Sequence, residues 1–286
     1  TMIQSGSRLR TTAAFAALFL LVACASKKAS EKPAELTEFV STAKVQQVWS
    51  ASVRGAKPKL RLGLSIATDG KAVFAAGYGG EVLAFDAASG RKLWQTNTKL
   101  KLTGGPGTGD GIFVAGASHG DLVALDAATG VQKWKTRINS EILAAPAIGK
   151  GVVLVRAVDG RMVALRATDG TEIWSAEKQV PRLSLRGTAN PLIVGDMAMS
   201  GFDTGRVLAL TLADGGPVWD VSVAPPSGRS EIDRLNDIDS AIKAVDTDIY
   251  AVTFHGKVAR LDRETGQVLW ARDASSYSGL ATDEDA

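Results

Sequence analysis

The chain has 286 residues, of which 45% are hydrophobic and only 6% aromatic, and it contains a single cysteine. Its 33 basic and 30 acidic side chains give a formal charge of +3, which falls to +1 without Arg8 and Arg10. This balance argues against a nucleic-acid-binding protein, which would concentrate basic residues on one face. One cysteine also excludes a domain held together by internal disulfides.

The beginning of the chain is typical of a targeting segment. After Arg8 and Arg10, an apolar run covers 13–23. As a helix it would span about 17 Å, too little for the roughly 30 Å of bilayer hydrocarbon. The run ends in Leu-Val-Ala-Cys, which resembles the lipobox of bacterial lipoproteins. The alternative is a chance cysteine beside an ordinary secretory cleavage site.

The lipobox interpretation divides the chain into three parts. We predict a lipoprotein signal peptide at 1–23, then a lipid on Cys24 at the start of a flexible tether at 24–44. The folded domain then covers 45–286. Residue 25 is alanine and not aspartate, which by the same resemblance points to the outer membrane.

Five later stretches repeat one pattern: usually a small residue, any residue, usually Asp, three residues, Gly, three residues and Trp. In each copy a further glycine precedes the tryptophan by fourteen residues; the tryptophans are Trp94, Trp134, Trp174, Trp219 and Trp270. A repeat of roughly 40 residues with short apolar runs between glycine turns is typical of radial β-architectures.

Each repeat contains four short strand candidates. In the second repeat they cover roughly 105–108, 112–115, 122–126 and 132–136. Continuous apolar runs such as Val-Val-Leu-Val at 152–155 indicate strands buried on both faces between stacked sheets. We therefore predict an all-β fold, a β-propeller of four-stranded blades, in which the small residue and the tryptophan pack together between neighbouring sheets.

The two ends of the repeat region are incomplete. Trp49 has no full repeat before it and resembles the detached outermost strand with which propellers close their ring. After Trp270 another repeat begins at Tyr277 and soon stops. We expect about five full blades plus the N-terminal closing strand, in a chain that looks truncated at its C-terminus.

Length variation identifies two enlarged loops. The connection from a tryptophan to the next repeat has 13 residues after Trp94 and Trp134, 18 after Trp174 and 24 after Trp219. In a propeller this connection joins the outermost strand of one blade to the innermost strand of the next. The two enlarged loops should therefore lie side by side on one face, where we expect the functional site.

Turn geometry explains the residues that could otherwise suggest catalysis. The third repeat position accepts Arg and Thr as well as Asp, which indicates a turn-capping group; its occupants are Asp86, Asp126, Arg166, Thr211 and Asp262. Both histidines precede turn glycines, and the glycine-rich stretch 104–109 lacks the ending of a phosphate-binding loop. We expect no catalytic residue, no metal site and no cofactor.

The two enlarged loops carry a different kind of sequence. The first contains Leu183, Leu185 and Arg186, and the second contains Asp237 and Asp239 within an acidic stretch. Apolar anchors ringed by charge resemble protein-interface hot spots. The alternative is a small satellite core under the loops, with Arg186 paired to Asp237 or Asp239, and both interpretations can hold together.

The lipobox, the tryptophan repeats and the two loop motifs, Leu-Ser-Leu-Arg-Gly and Glu-Ile-Asp-Arg-Leu-Asn-Asp-Ile-Asp, together resemble the BamB family. These are lipoprotein subunits of the outer-membrane β-barrel assembly machinery. The resemblance implies an eight-bladed propeller on the periplasmic face of the outer membrane, which supports barrel-protein folding and is not an enzyme. It also implies binding to the periplasmic POTRA domains of BamA through Leu183, Leu185, Arg186, Asp237 and Asp239.

Two other functions stay open. The repeat also resembles the propellers of pyrroloquinoline-quinone dehydrogenases, which use a metal-bound quinone, a carboxylate base and often adjacent cysteines. The sequence has no cysteine pair and offers no credible metal cluster. The other alternative is a periplasmic binding propeller with a different protein partner.

Overall fold

The computed structural model describes residues 38, 44–55, 62–181, 183, 185–225, 230, 235–254 and 256–282. The predicted signal peptide, Cys24 and nearly all of the predicted tether lie outside the described residues. The chain divides into two units, Thr1–Gln46 and Gln47–Ala286, and the description below concerns the second. No helix in the described ranges has the length and apolar character needed to cross a membrane.

The described residues of this unit form five sheets, which we number I to V in chain order. Four consecutive strands form an antiparallel series in each sheet. A short strand, β1 (Gly63–Leu64), adds in parallel to the first strand of sheet II. Sheet I contains β2 (Ile66–Thr68), β3 (Ala72–Ala76), β4 (Glu81–Asp86) and β5 (Lys92–Asn97). Sheet II contains β6 (Leu102–Gly109), β7 (Ile112–Ala117), β8 (Asp121–Asp126) and β9 (Gln132–Arg137).

The remaining sheets repeat the arrangement. Sheet III contains β10 (Ala147–Gly149), β11 (Val152–Arg156), β12 (Arg161–Arg166) and β13 (Glu172–Glu177). Sheet IV contains β14 (Leu192–Val194), β15 (Met197–Phe202), β16 (Arg206–Thr211) and β17 (Pro217–Ser222). Sheet V contains β18 (Lys243–Val245), β19 (Asp248–Val252), β20 (Gly256–Asp262) and β21 (Val268–Ala274). The prediction of an all-β chain built from four-stranded sheets is confirmed.

The core lies between the sheets, because the central strands are apolar on both faces. In β7, Phe113 packs toward sheet I while Val114 packs toward sheet III. Four buried clusters of this kind join sheets I and II, II and III, III and IV, and IV and V. Alternate side chains of a strand point to opposite faces, so a continuous apolar run supplies both interfaces of one sheet. Consecutive sheets thus stack in the manner of a β-propeller.

The repeat tryptophans of sheets I to IV each dock onto the following sheet. Trp134 pairs with Ala124 within sheet II, and its indole Nε1 donates to the Ala167 carbonyl of sheet III at 2.8 Å. Its ring covers Gly170, where a Cβ would lie 2.7 Å from the ring. The same indole donation and glycine contact recur for Trp49, Trp94, Trp174 and Trp219. The predicted packing of the repeat tryptophans between sheets is confirmed for sheets I to IV.

A β-bulge precedes the repeat tryptophan in each of the five sheets. In sheet I, Ala84 pairs with Trp94 while Phe85 pairs with Lys92, so Leu93 is the extra residue. Equivalent register shifts occur at the same place in the other sheets. A bulge bends the edge strand and changes the direction of its next side chain. Here it aims the tryptophan at the neighbouring sheet and leaves 41% of Leu93 exposed.

Candidate functional site

The connections between consecutive sheets meet on one face of the stack. The two enlarged loops join β13 to β14 and β17 to β18, as their lengths predicted. Two residues from other segments contact the first enlarged loop on this face: Glu141, from the connection before sheet III, and Tyr277, which follows sheet V. Because every connection begins at the last strand of one sheet and ends at the first strand of the next, segments distant in sequence become neighbours.

Asp237 joins the two enlarged loops from inside. Its side chain is only 1% exposed, and its Oδ2 accepts the backbone N–H of Leu185 at 2.6 Å. Its own carbonyl accepts the N–H of Phe254, which fixes the second loop to sheet V. Burial raises the pKa of Asp237 to about 6, although the Leu185 hydrogen bond opposes this; the charge of Asp203 raises it further. Asp237 is therefore a residue that shapes the site rather than one that a partner touches.

Arg186 projects outward and pairs with a residue that the sequence did not indicate. Its Nη1 and Nη2 donate to the two carboxylate oxygens of Glu141 at 3.0 and 2.8 Å. The expected pairing with Asp237 or Asp239 is thus replaced by a two-pronged ion pair with Glu141. Close to half of the Arg186 side chain stays exposed. The Tyr277 hydroxyl donates to the Arg186 carbonyl at 2.9 Å.

Leu183 and Leu185 differ in exposure. Leu183 is 43% exposed, as expected for an apolar anchor, whereas Leu185 is half-buried where its backbone contacts Asp237. Leu183 and Arg186 together present an apolar side chain and a cation on one loop. An exposed apolar side chain beside a cation is more typical of a surface that binds another protein than of a small-molecule site.

Asp239 lies at the inner edge of the same site. Its carboxyl rests against the Gly187 backbone, where a Cβ would come within 2.8 Å of it. Burial raises the pKa of Asp239 to about 7, the charges of Asp237 and Asp203 raise it further, and Arg156 opposes the shift. The structure therefore brings Leu183, Leu185, Arg186, Asp237 and Asp239 into one site.

Sequence reasoning missed four residues of this region. Glu141 lies in a connection of ordinary length and Tyr277 follows the last sheet, so neither was predicted to belong to the site. Arg156 ends β11 and Asp203 follows β15, so both looked like ordinary strand and turn residues. The signal available was positional, because Glu141 lies in the connection next to the first enlarged loop.

The predicted turn-capping role of the repeat aspartates is confirmed. Asp126 Oδ1 accepts the N–H and the hydroxyl of Thr129 at 3.0 and 2.9 Å, and Asp86 and Asp262 make the equivalent contacts. Within the described ranges, no group of three or more His, Cys, Asp or Glu residues has an arrangement that could hold a metal ion.

Comparison with known proteins gives consistent results. A family model described as "Outer membrane protein assembly factor BamB" matches residues 39–98 and 78–286. The outer membrane protein assembly factor BamB of Pseudomonas aeruginosa is 52% identical over 271 residues, covering 94% of this chain and 71% of that protein. The BamB of Alkalilimnicola ehrlichii is 45% identical over 282 residues, covering 99% of this chain and 73% of its own length.

Solved structures agree with the sequence comparison. The crystal structure of BamB from Moraxella catarrhalis superposes with a TM-score of 0.71 at 34% identity, covering 77% of this chain and 66% of that one. A quinohemoprotein alcohol dehydrogenase from Pseudomonas putida HK5 gives a TM-score of 0.55 at 18% identity, covering 75% of this chain and 42% of that one. At this low identity the second likeness concerns the fold alone. The chain belongs to the BamB family of outer membrane protein assembly factors.

Proposed function

We propose that this chain is a non-enzymatic scaffold lipoprotein of the machinery that assembles outer-membrane β-barrel proteins. In this proposal it binds the periplasmic POTRA domains of BamA through Leu183, Leu185 and Arg186, with Asp237 and Asp239 shaping the surface. The observation that carries the proposal is the Asp237–Leu185 hydrogen bond, because it unites the two loop motifs into one surface. The relatives' shared name, outer membrane protein assembly factor, supports the process.

The same proposal covers the architecture and the location. Sheets I to V are successive blades of a β-propeller, to which the sequence resemblance assigns eight blades. Trp49 occupies the place of an outermost-strand tryptophan, since it docks on Gly90 of sheet I as Trp134 docks on Gly170. A lipid on Cys24 holds the protein at the periplasmic face of the outer membrane, where 24–44 acts as a tether.

Co-purification tests the partner. The full-length lipoprotein, solubilised from outer membranes in mild detergent, should retain BamA when it is captured by an affinity tag. A variant with Leu183→Ala and Arg186→Ala should retain much less, at equal yield of folded protein. Capture of a different periplasmic protein, with BamA absent from both samples, would assign the surface to that other partner.

The lipid anchor has a separate test. We expect Cys24→Ala to block processing or to release the protein from the membrane, because acyl chains anchor with about 0.8 kcal/mol per buried methylene. Mass spectrometry of the mature wild-type protein should show an acylated N-terminal cysteine. An unmodified N-terminus would contradict the lipoprotein assignment.

A further inference from the structure

A cluster of buried charges lies beneath the two enlarged loops. Arg156 is 1% exposed, and its Nη2 lies 3.7 Å from Asp203 Oδ1. Its guanidinium carbon lies 4.1 Å from the centre of the Phe202 ring. Burial lowers the pKa of Arg156 and raises that of Asp203, while the attraction between the two charges opposes both shifts. This pair joins sheet III to sheet IV directly under the site.

Among the described residues, the cluster contains more negative than positive charge. Asp203, Asp237 and Asp239 interact electrostatically with one another, and the charges of Asp203 and Asp239 also act on Arg156. One guanidinium cannot neutralise three carboxylates, and a buried carboxylate without hydrogen-bond donors is unfavourable. Asp239 is in that position, since neither of its carboxyl oxygens has a hydrogen-bond partner among the described residues.

A cavity of about 320 Å³ opens beside Asp239. Thr188 and Ser240 also line it, and they are only 6% and 8% exposed. The Thr188 Oγ1 and the Ser240 Oγ likewise find no hydrogen-bond partner in the described part of the chain. Buried polar groups are normally hydrogen-bonded, so three neighbouring side chains without partners indicate a place built for a ligand.

The other charged and titratable groups at the cavity are already engaged. Arg186 lines the cavity, but its guanidinium is held by Glu141, and the hydroxyl of Tyr277 donates to a backbone carbonyl. Asp237 gives one carboxylate oxygen to Leu185. Among the charged and the most deeply buried polar groups at the cavity, the free hydrogen-bonding capacity is therefore a carboxyl group and two hydroxyls. These groups complement a donor that carries positive charge.

We propose that this cavity accepts a cationic side chain, Lys or Arg, of the protein partner, with Asp239 as its counter-ion and Thr188 and Ser240 as hydrogen-bond acceptors. The inference rests on the proposed function for the identity of the partner, the periplasmic domains of BamA. The chemistry of the cavity itself depends only on this chain. A bound cation supplies the charge that Arg156 alone leaves unbalanced.

Cation binding at Asp239 should depend on pH. The Asp239 carboxyl, with a pKa of about 7, is partly protonated at neutral pH, because burial and the charges of Asp237 and Asp203 outweigh Arg156. A cation favours the ionised carboxyl, so its binding displaces a proton. Binding of the cation should consequently strengthen as pH rises from about 6 to about 8.

Methylguanidinium chloride tests the cavity without any partner. The full chain, solubilised in detergent and carrying ¹³C-labelled aspartate, is titrated with this salt, and the Asp239 carboxyl resonance is followed by NMR. We expect saturable binding that tightens with pH, and at least tenfold weaker binding in Asp239→Asn. Asp196→Asn, which removes a largely exposed carboxyl in sheet IV, should bind as the wild type does.

A second variant keeps the test decisive if Asp239→Asn fails to fold. Thr188→Val with Ser240→Ala retains the carboxyl and removes both hydroxyls, and should weaken methylguanidinium binding threefold or more. Equal affinity in the wild type and in every folded variant would overturn the proposal. Thermal unfolding identifies which variants are folded.

Calorimetry with the BamA periplasmic domains separates this inference from the proposed function. At pH 7, in two buffers of different ionisation enthalpy, wild-type binding should release a fraction of a proton, and Asp239→Asn should release less and bind about tenfold more weakly. Binding without proton release and with full affinity in Asp239→Asn would overturn the cation site and leave the partner intact. Binding of methylguanidinium alone, without binding of BamA, would overturn the proposed function and leave the cation site intact.

Discussion

Trp134 and Asp126 belong to the same repeat but contribute to the fold in different ways. Trp134 is 7% exposed, spans the space between sheets II and III, and donates across it to the Ala167 carbonyl. Asp126 lies in an exposed turn and caps Thr129 within its own hairpin. An aromatic side chain buries 150–250 Å², so the interface between sheets depends on the first residue far more than on the second.

Stability measurements should reproduce this difference. We expect Trp134→Ala to lower the free energy of unfolding by about 3–5 kcal/mol, the usual cost of emptying a large aromatic site. Asp126→Ala removes hydrogen bonds only in an exposed turn and should cost much less than Trp134→Ala. Denaturant titration of both variants checks the prediction, and equal losses would mean that the tryptophan does not hold the sheets together.

The buried carboxyl of Asp237 makes the folding stability of the protein depend on pH in an unusual direction. Its pKa is 3.8 in the unfolded reference and about 6 in the folded chain, mainly because burial disfavours the charged form. The folded state therefore holds a proton that the unfolded state has already lost between these two values. This contribution to stability is fully present below pH 3.8 and is lost as pH rises through about 6.

Asp237→Asn should flatten that part of the stability profile. Each pKa unit corresponds to about 1.4 kcal/mol, so the decline between pH 4 and pH 7 should shrink by about 3 kcal/mol. Asp196→Asn is the matched control, because its exposed carboxyl has a pKa lowered by the Lys150 hydrogen bond, which acts below this window. Asp239, with a pKa of about 7, accounts for the decline that remains in the variant. A decline as large in Asp237→Asn as in the wild type would show that the Asp237 carboxyl does not contribute.

At the scale of elements, the hairpin between the third and fourth strands repeats as a unit of assembly. Its turn glycine has positive φ, as at Gly170 with φ of 73°, and the tryptophan of the preceding sheet covers it. Its bulge then aims its own tryptophan at the next sheet. Each such hairpin therefore makes two contacts: its glycine packs under the tryptophan of the preceding sheet, and its own tryptophan packs on the next sheet. This explains why glycine and tryptophan keep a fixed spacing in every repeat.

Two turn glycines of sheet III separate the need for a positive φ from the need for space under the tryptophan: Gly151 lies between the first and second strands, and Gly170 lies between the third and fourth. Gly151 has φ of 76° and nothing within 4 Å of a Cβ, whereas a Cβ at Gly170 meets the Trp134 ring. Gly151→Ala should cost only the left-handed backbone penalty, about 1–2 kcal/mol. Gly170→Ala adds about 1–3 kcal/mol of steric overlap in a packed interface. Indistinguishable midpoints in denaturant would contradict the docking role of the tryptophan.

The sequence predicted these elements well where hydrophobic pattern and turn glycines agree. In sheet II the predicted strand 132–136 is observed as Gln132–Arg137. β6 is longer than predicted because its glycines look like turn residues. They are needed instead for close approach: a Cβ at Gly107 would lie 2.0 Å from the Pro146 carbonyl oxygen. The parallel addition of β1 had no local signal, since it depends on a contact between distant segments.

At the scale of the whole molecule, the stacking of repeats brings connections that are distant in sequence together on one surface. The enlarged loops were found from their lengths, and their predicted juxtaposition is confirmed by the Asp237–Leu185 hydrogen bond. The partner of Arg186 was predicted wrongly, because Glu141 comes from a third connection that only the stacked arrangement brings near. Long-range pairing between polar side chains has no periodic signature, so the buried Arg156–Asp203 pair was also invisible in the sequence.

Two exposed leucines test whether this surface binds the partner. Leu183 and Leu93 are 43% and 41% exposed, but only Leu183 lies on the enlarged loops. Leu183→Ala and Arg186→Ala should each weaken binding to the BamA periplasmic domains by about 1–3 kcal/mol, as interface anchors do. Leu93→Ala should leave the affinity unchanged, because it removes a similar area on the outer strand of sheet I.

Neither loop variant should lower stability by more than about 1 kcal/mol, since exposed contacts and surface ion pairs contribute little. Titration calorimetry gives the affinities, and equal weakening by Leu93→Ala and Leu183→Ala would place the interface away from the loops.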